Sequence, residues 1–326
     1  MTSVYEGKVN INKFINKLPI GSCEICPALG EDAAVISLDK ESKYILVHSD
    51  PITEASLEPG YLSVVVACND INMKGGYCKW ISTTILLPRL EDLDRVIDGI
   101  KEACNILKCS VIGGHTEVTS TVKSPIVVTT AFSTVNKYLS YRNVKEGDYI
   151  VQVSSIGIEG AWILATEFKE LLINRGIKKE IIENIRKNYK YEIIDQIKAE
   201  KIWEYSKAMH DITDGGIWQS LYEISNALNR KLIVYKENII IREEIREIVN
   251  RLGINPYLFI SSGSFIVITD KPEAILNTIK ESAIIGKVGE EREAEVFVSG
   301  EGKINEDDLH EELARFESSY NEWRQR

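Results

Sequence analysis

VIGGHTEVT, residues 111–119, stands between an amphipathic helical stretch and an apolar stretch with the character of a β-strand. Upstream, Leu93, Val96, Ile97, Ile100, Cys104 and Leu107 recur at three- and four-residue spacing, which is one face of a helix. Cys109–Ile112 then reads as a short strand, Gly113–Glu117 as a turn, and Pro125–Ser133 as a long strand. Adjacent glycines let a backbone approach a neighbour closely, and His115 and Glu117 put polar groups beside them at the end of a strand. Helix, strand and glycine turn in alternation predict a mixed α/β sheet.

Outward from this point the same grammar continues. Lys43–His48 reads as a strand that delivers Asp50 to its C-terminal end. Gly60–Asp70 stays apolar for longer than a strand does, so it is read as a buried helix. Lys79–Leu87 is a strand closed by Pro88. Residues 136–147, NKYLSYRNVKEG, are polar and rich in turn formers, which places a boundary between units at 1–138 and 147–326. Asp148–Val153 opens the second unit as a strand, and a turn with Gly157 and Gly160 leads into a helix around Trp162–Leu172. Helical stretches follow at 178–188 and 193–207, and MHDITDGG opens a helix over Ile217–Leu228. Tyr257–Thr269, Ile284–Val288 and Ala294–Val298 read as strands and Asp307–Trp323 as a closing helix. The class is α/β (α+β), in two domains.

At 326 residues the chain exceeds the usual size of one domain. Its net charge of −10 argues against nucleic acid as a partner, because phosphate binding needs clustered Lys and Arg. The longest apolar run, Tyr61–Cys68, falls far short of the ~20 residues that span a bilayer. The opening MTSVYEGKVN has no apolar core of a signal peptide. The expectation is a cytoplasmic protein with no membrane partner. Cys23-x-x-Cys26 would be half a zinc site or a redox pair, but no second pair repeats its spacing. The six cysteines are therefore expected as buried or half-buried free thiols.

Four segments end an apolar element in a carboxylate beside small or turn-forming residues: Gly30–Ala34, Ser49–Pro51, Asn69–Asp70 and Asp211–Gly216. An Asp in such a place is ordinarily a cap or turn former. If the four converge, like charges crowd and raise one another's pKa, and a divalent cation removes the conflict. Hard oxygen ligands select Mg2+, which commonly bridges carboxylates to phosphates. No G-x-x-x-x-G-K-[ST] loop occurs, so a nucleotide would be held by metal and by glycine backbone N–H groups.

GEDAAVI (30–36), SDPITEA (49–55), NDINMKGG (69–76), GGHTEVT (113–119), GIEGAWILA (157–165), HDITDGGI (210–217), LFISSGSFIVI (258–268) and IGKVGE (285–290) together resemble the aminoimidazole ribonucleotide (AIR) synthase superfamily. That superfamily includes thiamine-monophosphate kinase, selenophosphate synthetase and the hydrogenase maturation protein HypE. The similarity runs from about Gly7 to Gly289 and is greatest to HypE-like, AIR synthase-related proteins. It implies the two-domain fold of that superfamily, with N-terminal domains paired into a β-barrel homodimer and a C-terminal α/β domain. It also implies ATP with Mg2+ and transfer of a phosphoryl group to a carbonyl, amide or phosphate oxygen. The acceptor would be a small molecule or a protein-borne group.

Carried over by position, Asp32, Asp50 and Asp70 resemble the Mg2+ ligands, with Asn69 helping to hold the phosphates. Gly113, Gly114 and Thr116 resemble the turn that approaches the nucleotide, and Asp211, Thr213 and Asp214 the phosphate-side and acceptor-side groups of catalysis. His115 stands where relatives carry an acidic residue. A neutral imidazole is a poor Mg2+ ligand. Either Glu117 takes over at the nucleotide, or His115 serves proton transfer at the acceptor. His210 is expected as a first-turn polar residue, and His48 and His310 carry no signal.

HypE proper ends in a reactive cysteine. This sequence ends SSYNEWRQR and its last cysteine is Cys109, so chemistry on its own tail is not expected. A thiamine-monophosphate-kinase-like kinase and a nucleotide-binding partner protein without catalysis are the alternatives to the enzyme reading.

Overall fold

The computed structural model describes residues 24–26, 28–37, 44–53, 57–291 and 293–325. The N-terminal MTSVYEGKVN, Cys23 and the final EA of SDPITEA lie outside the described residues.

The first unit comprises β1 (Ala34–Ser37), β2 (Tyr44–Ile52), α1 (Pro59–Met73), β3 (Trp80–Leu87), α2 (Leu93–Leu107), β4 (Ser110–Val118) and β5 (Ile126–Val135). Its sheet runs β1-β2-β5-β3-β4, with β3 and β4 parallel and the other neighbours antiparallel. Along β5 buried and half-buried residues alternate, so Val127, Thr129, Ala131 and Ser133 turn inward. All fifteen residues of α1 are buried. An amphipathic stripe would not suffice for α1, because it meets the sheet and α2 within its own unit and also touches β7 (Ala208–Asp211) and α6 (Gln196–Ala199) of the second.

The second unit continues with β6 (Tyr149–Val153), α3 (Ile158–Glu167), α4 (Lys169–Asn174), α5 (Lys179–Glu192), α6, β7, α7 (Gly216–Leu228), β8 (Arg230–Val234), α8 (Glu243–Leu252), β9 (Phe265–Thr269), α9 (Pro272–Thr278), β10 (Ser282–Glu291), β11 (Glu295–Val298), β12 (Gly302–Lys303) and α10 (Glu312–Gln325). Its sheet order is β12-β11-β8-β10-β6-β9-β7, antiparallel except for β8 and β11. The two units share one apolar cluster in which Tyr61 and Val65 of α1 are joined by Ile158 and Trp162 of α3 and by Ile193.

Several expectations are corrected. GGHTE is not a turn, since it lies inside β4. Val111 pairs with Ile81 and Gly113 with Ser82, so Ile112 is an extra bulged residue. Gly114 has φ +155°, and a Cβ there would stand 2.2 Å from the Thr83 carbonyl oxygen. Its bare backbone thus serves close pairing with β3. The buried helix continues past Asp70 to Met73, which puts Asp70 inside its last turn. Residues 193–207 break into α6 and a 3-10 turn at Trp203–Tyr205, because β7 must follow directly. The strand expected from Tyr257 begins only at Phe265, after a 3-10 turn at Pro256–Leu258. The closing helix begins at Glu312, not Asp307. Cys26 is disulfide-bonded instead of free. No closed barrel forms among the described residues of the single chain: β1 and β4 are edges of an open sheet.

Candidate functional site

The expected acidic residues gather where the two units meet, but in two groups. Asp32 lies in the turn that leads into β1. Gly30, two residues earlier, has φ +80°, and a Cβ there would approach the Glu223 carbonyl of α7 to 2.5 Å. This tight seat brings the first unit's turn against the second unit, and Asp32 meets His210 and Asp211 at the end of β7. His210 Nδ1 stands 3.3 Å from Asp32 Oδ1 and 3.6 Å from Asp211 Oδ1, while Nε2 is 3.2 Å from Glu223 Oε2. The same Nδ1 lies 2.7 Å from the Asp211 carbonyl oxygen. Both ring nitrogens therefore face acceptors, which favours imidazolium. Burial alone would lower the pKa of His210, but Asp32, Asp211 and Glu223 outweigh it and hold the ring well above its ordinary value.

The second group joins β2 to α1. His48 and Asp50, two apart on one strand, point to the same face. With Asp70 of α1 they bring ligand atoms within 4.8 Å of one another. His48 Nε2 lies 3.2 Å from Asp70 Oδ2. The metal trio expected from the sequence is thus divided, with Asp50 and Asp70 beside His48 and Asp32 beside His210 and Asp211.

Further carboxyl groups with raised pKa values couple to these groups. Burial raises Glu159 to about 7, and the charges of Asp214 and Asp50 add to the effect. Burial, reinforced by Asp214, raises Glu311 to about 8. Asp195 is pushed to about 7 by burial, and Asp211 reinforces this against Lys198. Asp32 itself is driven to about 7, mainly by burial, despite His210. Lys74, buried at the C-terminus of α1, pairs with Glu31 and lowers Asp32. Asp32 Oδ2, Asp211 Oδ2 and Asp195 Oδ2 are buried without a hydrogen-bond donor, while Asp195 Oδ1 faces Lys198 Nζ at 3.3 Å. Carboxylate oxygens orphaned in this way, with pKa values raised by burial, fit a hard cation that would stabilise their ionised form.

Other expected residues stand differently. Asn69 is fully buried and spends its amide on the second unit: Nδ2 donates to the Ile193 carbonyl at 2.9 Å and Oδ1 accepts from the Asp195 N–H at 3.0 Å. In this arrangement its amide clips the two units together. Gly113, Gly114, His115, Thr116 and Glu117 all lie on the exposed edge strand β4. His115 and Glu117 approach one another to 3.6 Å in the open. Thr213 and Asp214 occupy the loop between β7 and α7, half-buried. A groove of about 700 Å3 near Lys231, Lys287 and Glu295 lies on β8, β10 and β11, strands remote from β7 in the sheet, and includes none of these residues.

His48, His210, Glu159, Asp195 and Glu223 were missed by sequence reasoning. Two signals were available: the His-x-Asp alternation of β2, and single carboxylates inside apolar runs such as LYEIS and IIDQI.

Comparison with known proteins agrees with this architecture. Residues 30–135 match the family described as AIR synthase related protein, N-terminal domain, and residues 145–299 its C-terminal domain. A putative hydrogenase expression/formation protein of Methanocaldococcus jannaschii is 27% identical, over 75% of this chain and 72% of the relative. The thiamine-monophosphate kinase of Aquifex aeolicus is 25% identical, over 83% of this chain and 89% of its own length. The structure of AaThiL complexed with AMPPCP and TMP superposes with a TM-score of 0.71 at 20% identity, covering 90% of this chain and 92% of that one. The two family matches, in order and over most of the chain, show that this protein belongs to the AIR synthase-related superfamily, on its HypE-like side.

Proposed function

We propose that the protein is an ATP- and Mg2+-dependent phosphoryl-transfer enzyme that activates a carbonyl, amide or phosphate oxygen of a small molecule or a protein-borne group. The observation that carries this reading is the set of buried carboxylates from both units, with Asp32 Oδ2 and Asp211 Oδ2 unpaired, at one junction. Asp32, Asp50, Asp70 and Asp211 would hold Mg2+, which when bound neutralises polyphosphate charge and orients it for in-line transfer. His48 is a poor Mg2+ ligand and acts by orienting Asp70. His210 holds a proton among Asp32, Asp211 and Glu223 and keeps their carboxylates in place. Thr213 and Asp214 lie at the start of α7, whose N-terminal dipole favours an anionic group. Asn69 sets the spacing of the two units.

His115, Glu117 and the glycines of β4 reach a nucleotide only if β4 takes part in an assembly. We place a homodimer there, in the cytoplasm. Val111, Ile112 and Val118 are 53%, 60% and 50% exposed on this edge, and an uncovered apolar edge strand invites pairing. The similarity to a thiamine-monophosphate kinase supports a second reading, a kinase of that type.

Measuring Mg2+-dependent ADP release across a metabolite panel that includes thiamine monophosphate, with Asp211→Asn as control, tests the proposal. Release with one acceptor, lost in the variant, supports it and names the acceptor class. MgATP binding without ADP release under any condition would favour a nucleotide-binding partner protein. Equal ATP affinity with and without EDTA would sink the metal reading.

A further inference from the structure

The first unit holds a second constellation that phosphoryl transfer does not use. Cys68, Cys78 and Cys109 are buried with sulfur atoms within 4.8 Å of one another, and Cys104 Sγ lies 3.2 Å from Cys109 Sγ. The four come from different places: the middle of α1, the approach to β3, the last turn of α2 and the approach to β4. Backbone bonds hold them together. Cys78 and Cys109 precede adjacent parallel strands, and the Ser110 N–H donates to the Lys79 carbonyl at 3.0 Å. Cys109 N–H returns to the Cys104 carbonyl at 3.1 Å as Lys108, at φ 58°, closes α2. The rest of this core is built from Val, Ile, Leu, Ala and a few aromatic residues, which fill space without sulfur.

A single ion held by four thiolates at about 2.3 Å requires sulfur atoms roughly 3.8 Å apart. Cys68, Cys78 and Cys109, within 4.8 Å of one another, and Cys104, 3.2 Å from Cys109, lie around that spacing, and Cys104, outside the 4.8 Å trio, completes the set by turning its side chain inward. Iron–sulfur clusters spread their cysteines over several irons and need a wider ring. Hard cations prefer the oxygen-rich junction described above. We infer that Cys68, Cys78, Cys104 and Cys109 form a buried thiolate site for one soft divalent cation, zinc by preference. On binding, each sulfur exchanges its S–H proton for a metal bond and the proton leaves to solvent, with no change of oxidation state. The ion clamps α1 and α2 to the starts of β3 and β4. Among the described residues β4 has only β3 as a strand neighbour, so this clamp supports the strand that carries Gly113–Glu117. The inference stands apart from the nucleotide reading.

The test uses the full chain, purified from zinc-supplemented medium. Metal is counted, thiols are titrated before and after denaturation, and Cd2+ is added while the ultraviolet thiolate-to-cadmium absorption is followed. The expected result is one zinc per chain and a saturable cadmium band at one equivalent. Both should persist in a Cys23→Ser/Cys26→Ser double variant and be lost in Cys104→Ser and Cys109→Ser. Chelation should lower the Tm of the wild type by roughly 5 °C or more and leave that of Cys104→Ser unmoved. If Cys109→Ser fails to fold, the wild-type band and Cys104→Ser, at the rim of the cluster, still decide. A metal-free chain with four thiols titrating on denaturation and no cadmium band overturns the inference, as does a Cys104–Cys109 disulfide. Zinc lost only in the Cys23/Cys26 variant would place the metal elsewhere and overturn it too.

Discussion

His210 of the second unit places Nδ1 3.3 Å from Asp32 Oδ1 of the first, and both side chains are buried. The pair closes the junction electrostatically, because the imidazolium is the cation that Asp32, Asp211 and Glu223 share. Removing one partner of such a pair leaves charge buried and uncompensated. His210→Ala should cost about 3 kcal/mol of stability at neutral pH. Mg2+ should restore part of it, since a metal can replace the lost cation. Urea unfolding of both proteins, with and without Mg2+, makes the comparison. Equal midpoints in the absence of metal would show that the pair carries no net stability.

Glu159 supplies a pH dependence. Its folded pKa of about 7 exceeds the ordinary 4.5 because burial, with Asp214 and Asp50, penalises the carboxylate. Below pH 4.5 it is protonated whether the chain is folded or not, so it imposes no penalty there. Between pH 4.5 and about 7 the unfolded chain has released this proton and the folded chain has not, so stability falls across that range and the loss is complete above it. Glu159→Gln keeps an acceptor for the Ser262 N–H and removes this penalty. The variant should match wild type below pH 4.5 and exceed it by about 2 kcal/mol at pH 8. Thermal melts across the range decide, and parallel curves would count against a raised carboxyl.

Asp70 sits in the last turn of α1, where the helix dipole disfavours negative charge, 3.2 Å from His48. Asp70→Asn should keep the fold and leave unliganded stability unchanged or slightly raised. The stabilisation that MgATP confers on the wild type should largely vanish. Melting curves of both chains with and without MgATP read this directly. An undiminished shift in the variant would move the nucleotide site away from Asp70.

Ile112, the bulged residue of β4, is 60% exposed. Ile112→Glu should leave the fold intact and turn a dimer into a monomer at micromolar concentration, because a charge on an edge strand blocks pairing. Sedimentation provides the masses. A wild type that already sediments as one chain would remove the dimer from the proposal.

The mixed α/β class and the superfamily are legible in the amino-acid order alone. Both rest on local signals, namely alternation, helical spacing and ordered glycine–carboxylate motifs. α1 was legible because its apolar run outlasts a strand, and β5 because it is an apolar stretch with the character of a strand. Tertiary structure decided which carboxylates share a site. Asp32 and Asp211 are far apart in the chain and meet only because the Gly30 turn packs on α7, so their grouping has no local signature. Two adjacent glycines in GGHTE read as a turn, whereas the pairing of this segment with β3 demands a bulge and a close backbone approach at Gly114. His210 reads as an ordinary polar residue in one dimension. Its charge is set by three acceptor side chains that the fold alone brings to it.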